Sequence, residues 1–278
     1  MVWNWFSARG IDADPGRVDE ILNAMRAQSR PCVLLRAGEG NSKLGGQVDG
    51  LPCADWPKSN GAPLDFLCQL DLTEIRRADG PDWLPADGSL LFFYDAEEQP
   101  WGFDPSDRPA WRVIHLPAPS DAAGGPPAPP RAPFPGKRLS AHASQSLPQA
   151  NSDRIGVDLQ GLTDSEFDSL FDASDAPYER FPAHQVGGYA SPIQGDDMEF
   201  EAQLVSHGIY CGDPEGYESP RAQELKGGSE EWVLLLQVDS DDDVGMMWGD
   251  GGRLYFWIRE QDARRADFSN VWMILQCY

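Results

Sequence analysis

Positive charge is scarce in this chain beside negative charge. Lys and Arg together number 22 against 45 Asp and Glu, and the formal net charge is −23 with the 4 His taken as neutral. A phosphate backbone is bound by cationic side chains that displace its counterions. The balance therefore argues against nucleic acid as a partner, and equally against an anionic membrane surface. It fits plain solubility, or attraction to a basic partner whose encounter rate the acidic field raises.

Long apolar runs are missing too. No stretch approaches the roughly 18 uncharged apolar residues of a membrane helix, and the opening MVWNWFSARGIDADPG lacks the apolar core of a secretory signal. Five cysteines, Cys32, Cys53, Cys68, Cys211 and Cys277, are widely spaced and form no CxxC. That argues against a disulfide framework and for a reducing interior, so a cytoplasmic location is expected. His115, His142, His184 and His207 form neither HxH nor HExxH, and no zinc site is expected. Asp239, Asp241 and Asp243 imitate the start of a calcium loop with Asp250 at its twelfth position. Val244, however, stands where the sharp turn needs glycine, and the closing Glu is absent. An acidic hairpin loop explains the run more simply. Without a GxSxG elbow or another nucleophile signature, no catalytic residue, metal or cofactor is assigned.

What the chain does have is core material: 10 Trp, 12 Phe and 7 Tyr in 278 residues. Asp14 is placed to cap a helix that opens at Pro15 and carries Val18, Ile21, Leu22 and Met25 on one face. PCVLLRAGEG predicts a strand around Val33, Leu34 and Leu35. DFLCQLDL, SLLFFYDA and RVIHLP predict three more, with a short helix or turn at TEIRRADG. Residues 117–138, dense in Pro, Ala and Gly, cannot bury enough surface to order strongly, and an excursion is expected at about 118–140. Thr163 and Glu166 make a capping box ahead of Phe167, Leu170 and Phe171. A further helix is expected in QGDDMEFEAQLVSHG, opened by Asp196 or Asp197 and closed by Gly208. EWVLLLQVDS, RLYFWIRE and NVWMILQCY complete the strands, the last expected to lie inside a sheet.

Several of these segments occur twice. KLGGQ (43–47) stands over QVGGY (185–189), FLCQLDL (66–72) over LLLQVDS (234–240), SLLFFY (89–94) over RLYFWI (253–258), and RVIHLP (112–117) over VWMILQ (271–276). Four matches in one order predict a duplicated unit. The expected fold is α+β, mainly antiparallel β-sheet built from two related halves, about 30–117 and about 180–278. A few peripheral helices surround one shared core in a single domain.

The same segments carry a family resemblance. SKLGG followed by LP and WP, PLDFLCQLDL, the GSLLFFYD strand, HQVGGYASPIQ, EWVLLLQVDSDDDVGMMWGDGGRLYFWI and the terminal VWMILQCY resemble the YwqG-like bacterial family of unknown function. The match spans roughly residues 30–278 and departs at the Pro-rich segment. The resemblance implies an immunity protein, which binds and neutralises a toxin or effector, and it brings no catalytic residues with it.

Two candidate sites follow. Gly45-Gly46 and Gly187-Gly188 suit either a phosphate cradle or turns in which only glycine tolerates positive φ. Gln69 and Asp71 project from one sheet face, as do Gln237 and Asp239. If the halves are related by a pseudo-two-fold axis, these four converge on a cleft rimmed by Lys43 and His184. Alternatively, each pair satisfies backbone groups beside its own turn. The second candidate is a partner surface of Asp241, Asp242, Asp243, Trp248 and Asp250, with Trp248 either exposed as an anchor or covering the core. The leading expectation is a non-enzymatic binding protein for a basic partner; a small-ligand binder or an enzyme using the inter-repeat cleft is the alternative.

Overall fold

The apolar run at Val33–Leu35 grows into the longest strand of the molecule. In the computed structural model, which describes residues 15–51, 55–117, 134–150, 154–178 and 182–278, helix α1 (Pro15–Ala27) leads into strand β1 (Arg30–Leu44). Then come β2 (Lys58–Ser59), β3 (Ala62–Pro63), β4 (Asp65–Asp71), α2 (Leu72–Arg77), β5 (Ser89–Tyr94), β6 (Trp111–Leu116) and β7 (Lys137–Ser146). Helix α3 (Asp164–Asp175), β8 (Gln185–Val186), α4 (Met198–Ser206), α5 (Pro214–Glu218) and α6 (Pro220–Leu225) precede β9 (Trp232–Asp239). The chain finishes with β10 (Arg253–Arg259), α7 (Glu260–Arg264) and β11 (Trp272–Gln276).

Nine strands form one antiparallel sheet in the order β11-β10-β9-β8-β1-β4-β5-β6, with β7 also paired to β1. The fold is α+β, and the sheet is nearly barrel-shaped. Its two ends approach each other where Trp111 donates through Nε1 to the Val271 carbonyl at 2.9 Å. The Trp111 and Trp272 rings meet edge to face there, 5.1 Å apart.

Strand β1 organises the molecule. Its first part pairs with β8 at Val33 and Leu34, its last part pairs with β4 at Lys43 and Leu44, and β7 follows it throughout. Between these parts residues 38–41 bulge, since Ala37 and Ser42 both face Leu139. Gly40 permits the bulge, because a Cβ there would sit 2.0 Å from the Leu139 carbonyl oxygen. The Glu74 carboxylate fills it, accepting from the Asn41 N–H at 2.8 Å and the Ser42 N–H at 3.2 Å.

The two meanders keep the same register. Lys43 faces Gln69 as Gln185 faces Gln237. Gln69 faces Leu91 and Asp71 faces Ser89, as Gln237 faces Tyr255 and Asp239 faces Arg253. Each β4–β5 and β9–β10 ladder slips by one residue at the same place, at Leu67 in one and Leu235 in the other. The last pairing corrects the sequence alignment by one position. Ser89 faces Leu116 and Arg253 faces Gln276, so WRVIHL (111–116), rather than RVIHLP, stands over VWMILQ.

Burial follows the pleat. In β5, Leu90, Phe92 and Tyr94 enter the main core, whereas Leu91 and Phe93 enter a second cluster with Val48, Leu51, Leu64 and Phe66. The main core takes residues from both meanders, including Phe92 and Phe256 in edge-to-face contact. A third cluster joins α1 to α3 through Ile21, Met25 and Leu170. The capping box is present at Thr163 and Glu166, α4 is flanked by Asp197, and Gly208 follows it with φ +84°.

Three expectations need correction or placement. Strand β7 begins at Lys137, inside the boundary drawn for the Pro-rich excursion, because β1 offers it a long edge of backbone partners. Strand β11 is the last in the sheet order, not an interior strand; its free side is covered instead by the strap 99–103, where the Leu275 N–H donates to the Trp101 carbonyl at 2.9 Å. Asp14, Cys53 and residues 118–133 lie outside the described residues; Cys32, Cys68, Cys211 and Cys277 are buried free thiols. Among the described residues no helix is long and apolar enough to cross a membrane.

Candidate functional site

The polar residues singled out in sequence do matching work in the two halves. Gln69 Oε1 accepts from the Asp49 N–H at 3.0 Å, and Gln237 Oε1 accepts from the Ser191 N–H at 2.9 Å. Asp49 and Ser191 each lie three residues beyond their own Gly-Gly pair. The Asp71 N–H donates to Ser42 Oγ at 3.0 Å, and the Asp239 N–H donates to His184 Nδ1 at 3.1 Å. Ser42 and His184 each stand three residues before the first glycine.

Both glycine pairs have positive φ, 53° and 72° in the first and 68° and 73° in the second. The Gly45 and Gly46 N–H groups donate to Leu67 O and Phe134 O, both at 2.8 Å, so neither points at an open cradle. A Cβ on Gly187 would lie 2.4 Å from Pro81, and one on Gly188 would lie 2.7 Å from the Cys32 Cβ. These turns need glycine for backbone geometry and for close packing. The carboxylates are similarly engaged. Asp71 caps α2 by accepting from the Glu74 N–H, and it also accepts from Asn41 Nδ2 at 3.2 Å. Asp239 accepts from the Ala183 N–H at 2.7 Å and pairs with Arg253 at 3.2 Å. Lys43 pairs with Asp49 at 2.5 Å.

His184 shows a definite tautomer. Its Nδ1 receives the Asp239 N–H, so Nε2 carries the proton and faces Asp241 Oδ2 at 3.2 Å. Lys137 Nζ reaches the same oxygen at 2.7 Å, while Asp241 Oδ1 accepts from the Asp243 N–H at 3.1 Å. Burial opposes ionisation of Asp241, but His184 and Lys137 outweigh it and hold the carboxyl far below the usual range. Asp241 is thus a buried structural anion and Asp242 and Asp243 are exposed. Trp248 does not serve as a surface anchor. It is fully buried against Tyr94 and Phe134, and its Nε1 donates to the Asp239 carbonyl at 3.2 Å. Its neighbour Met247 is the exposed one, at 47%, since the 3-10 turn at Asp242–Val244 resets which residues face out.

A groove that sequence reasoning missed opens beside the second glycine pair. It is open to solvent, has a volume of about 1420 Å³ and is lined by Gly188, Arg30, Trp83, Arg154, Phe200, Tyr217 and Trp232, with Asp82, Asp196, Asp197 and Glu199 among its acids. Of the ten residues expected in the inter-repeat cleft, Gly188 lines it. Arg30 and Arg154 both pack on the Tyr189 ring, and Arg154 pairs with Glu199 at 2.7 Å. Below the wall, Tyr217 Oη lies 3.0 Å from both Glu201 Oε1 and the Cys211 carbonyl. Tyr217 has one proton and a carbonyl has none. The hydroxyl therefore donates between two acceptors, Glu201 Oε1 and the Cys211 carbonyl. Burial is the main cause that pushes Glu201 up to about 7. These residues come from segments far apart in sequence, and the local signal is limited to the acid-rich start of α4.

A search among curated proteins finds no match. A family model described as a domain of unknown function (DUF1963) matches residues 42–277, from the end of β1 through the whole of β11. The chain belongs to the DUF1963 family.

Proposed function

We propose that this protein is a YwqG-like, non-enzymatic binding protein of the cytoplasm whose acidic surface engages a basic protein, in the manner of an immunity protein that neutralises a toxin or effector. The observation that carries this reading is charge: a net −23 with 22 basic side chains against 45 acidic ones. Several of those bases are already committed to internal pairs, as with Lys43, Lys137, Arg154 and Arg253. The hydrogen bonding of Gln69, Asp71, Gln237 and Asp239 supports scaffold roles for these residues over catalysis. We further infer that the two halves arose by duplication; shared register, matching ladder slips and matching glutamine bonds support it.

The test is association of the purified protein with a basic partner co-purified from its source cell. The association rate is expected to fall steeply as salt rises and as exposed carboxylates are reversed, with the fold unchanged. A rate indifferent to salt overturns the reading. A small-ligand function is favoured only by the groove at Gly188 and Arg154. A thermal-shift panel of metabolites would show stabilisation that Arg154→Met removes.

A further inference from the structure

Large apolar side chains exposed on this protein are not scattered. Among the described residues they are Trp101 (41% exposed), Tyr210 (47%), Met247 (47%) and Tyr278 (81%). All four lie on the strap 99–103 or on segments linked to it by hydrogen bonds. The Trp101 carbonyl accepts from the Leu275 N–H at 2.9 Å, three residues before Tyr278, and the Phe103 carbonyl accepts from the Cys211 N–H at 2.8 Å, next to Tyr210. Gln99 donates to the Met247 carbonyl at 3.0 Å and accepts from the Gly249 N–H at 2.8 Å. The Tyr278 N–H in turn donates to the Asp250 carbonyl at 3.2 Å.

The strap is tied down through its carbonyls, which turn inward. Pro100 O takes the Tyr94 hydroxyl at 2.9 Å and Gly102 O takes the Trp272 indole at 2.8 Å. Gly102 has φ +82°, and a Cβ there would lie 1.9 Å from the Met273 carbonyl oxygen. Trp101, 41% exposed and stacked on Phe103, sits on a backbone pinned by these hydrogen bonds, which lowers the conformational freedom to be lost on binding.

The segments that carry these side chains are rich in acids, although Lys137 pairs with Asp241 and Asp243 and Arg253 pairs with Asp239. Segments 95–107, 210–218 and 239–251 contain five, three and five carboxylate residues, segment 275–278 contains none, and none of the four contains Lys or Arg. Apolar anchors ringed by polar residues mark an interaction surface. The excess of exposed acids such as Asp242 disfavours a second copy of this chain, which would set carboxylates against carboxylates. We propose that Trp101, Tyr210, Met247 and Tyr278 form the docking surface for a basic protein that presents an apolar side chain among lysines and arginines. This assignment rests on the basic-partner reading and locates its surface.

The test uses two fluorescent probes, an amphipathic Lys–Leu helical peptide and an oligolysine of equal charge, titrated by anisotropy against the full chain. The Lys–Leu peptide is expected to bind about tenfold more tightly than oligolysine. That advantage should vanish in Trp101→Ser/Met247→Ser and in Tyr278→Ser, with oligolysine binding unchanged. Tyr278 is exposed enough for its variant to keep the wild-type melting temperature. Unchanged peptide affinity in both variants overturns the assignment. If peptide binding is instead lost in Asp196→Lys/Asp197→Lys at the groove, the basic-partner reading survives and this surface does not. If neither probe binds wild type, both fall. Sedimentation showing a dimer that Trp101→Ser dissolves makes the occupant a second copy and also overturns the proposal.

Discussion

Phe92 and Phe256 meet edge to face in the main core, ring centroids 5.2 Å apart at 70°. They occupy the same register position in their meanders, facing Cys68 and Leu236 on the neighbouring strands. Both are fully buried. Truncating either to Ala is expected to cost about 3–5 kcal/mol, and the double variant less than the sum, because the second truncation enlarges a cavity already open. Urea unfolding of the two single variants and the double checks this. Strict additivity would mean that the halves do not share this part of the core.

The two glutamines separate by what they leave behind. Gln237 is wholly buried and also donates to the Ala183 carbonyl at 2.6 Å, so Gln237→Ala orphans two backbone groups. Gln69→Ala orphans the Asp49 N–H on a part-buried loop. An orphaned buried group costs about 1–3 kcal/mol. Gln237→Ala is therefore expected to be the more destabilising in chemical denaturation.

Acid should loosen the Asp241 network. Its folded-state pKa is depressed, so the stability it contributes is present in full above the unfolded value of about 3.9 and is lost as pH falls below that toward the folded value. Asp241→Asn is expected to flatten stability against pH below about 4, and Lys137→Met to flatten it in part. An unchanged acid limb in Asp241→Asn would show that the pairs with His184 and Lys137 add nothing.

Glu201 acts in the opposite sense. Burial raises its pKa to about 7, above the roughly 4.3 of an unfolded glutamate. Between those values the folded state holds a proton that the unfolded state has released, so stability falls as pH rises from about 4.3 to about 7. Tyr217 faces Glu201 from α5, and Asp197 and Glu199 add like charge from α4 and its cap. Among the described residues its Oε2 is buried without a hydrogen-bond partner, so Tyr217 at Oε1 compensates ionisation only in part. Glu201→Gln is expected to remove this dependence and to stabilise the protein at pH 8. Denaturation midpoints across the range decide it.

Much of the scaffold was legible because its strands are continuous apolar runs. Leu234, Leu235 and Leu236 in β9 and Leu254 to Ile258 in β10 are buried throughout, and such runs declare themselves in sequence. Strand β7 did not, since KRLSAHASQS buries Leu139 and Ser146 and leaves all the rest at least partly exposed; its order comes from β1. Helices α5 and α6 were missed although Asp213-Pro214 and Ser219-Pro220 are both cap-plus-proline starts. They are too short for periodicity to show. Whether Trp248 is exposed or covers the core stayed open, because alternation breaks at the 3-10 turn before it. The groove and the strap surface depend on Arg30 meeting Arg154 at Tyr189 and on Gln99 meeting Met247, contacts that no local pattern encodes.

The most direct measurement captures the tagged protein's partner from its source cell and follows release across rising salt. A basic protein should be retained at low salt and released progressively as ions screen the carboxylates, with rebinding of the purified pair showing the same slope. Retention of a neutral or acidic protein, or a purified pair whose affinity ignores salt, would contradict recognition through the acidic surface.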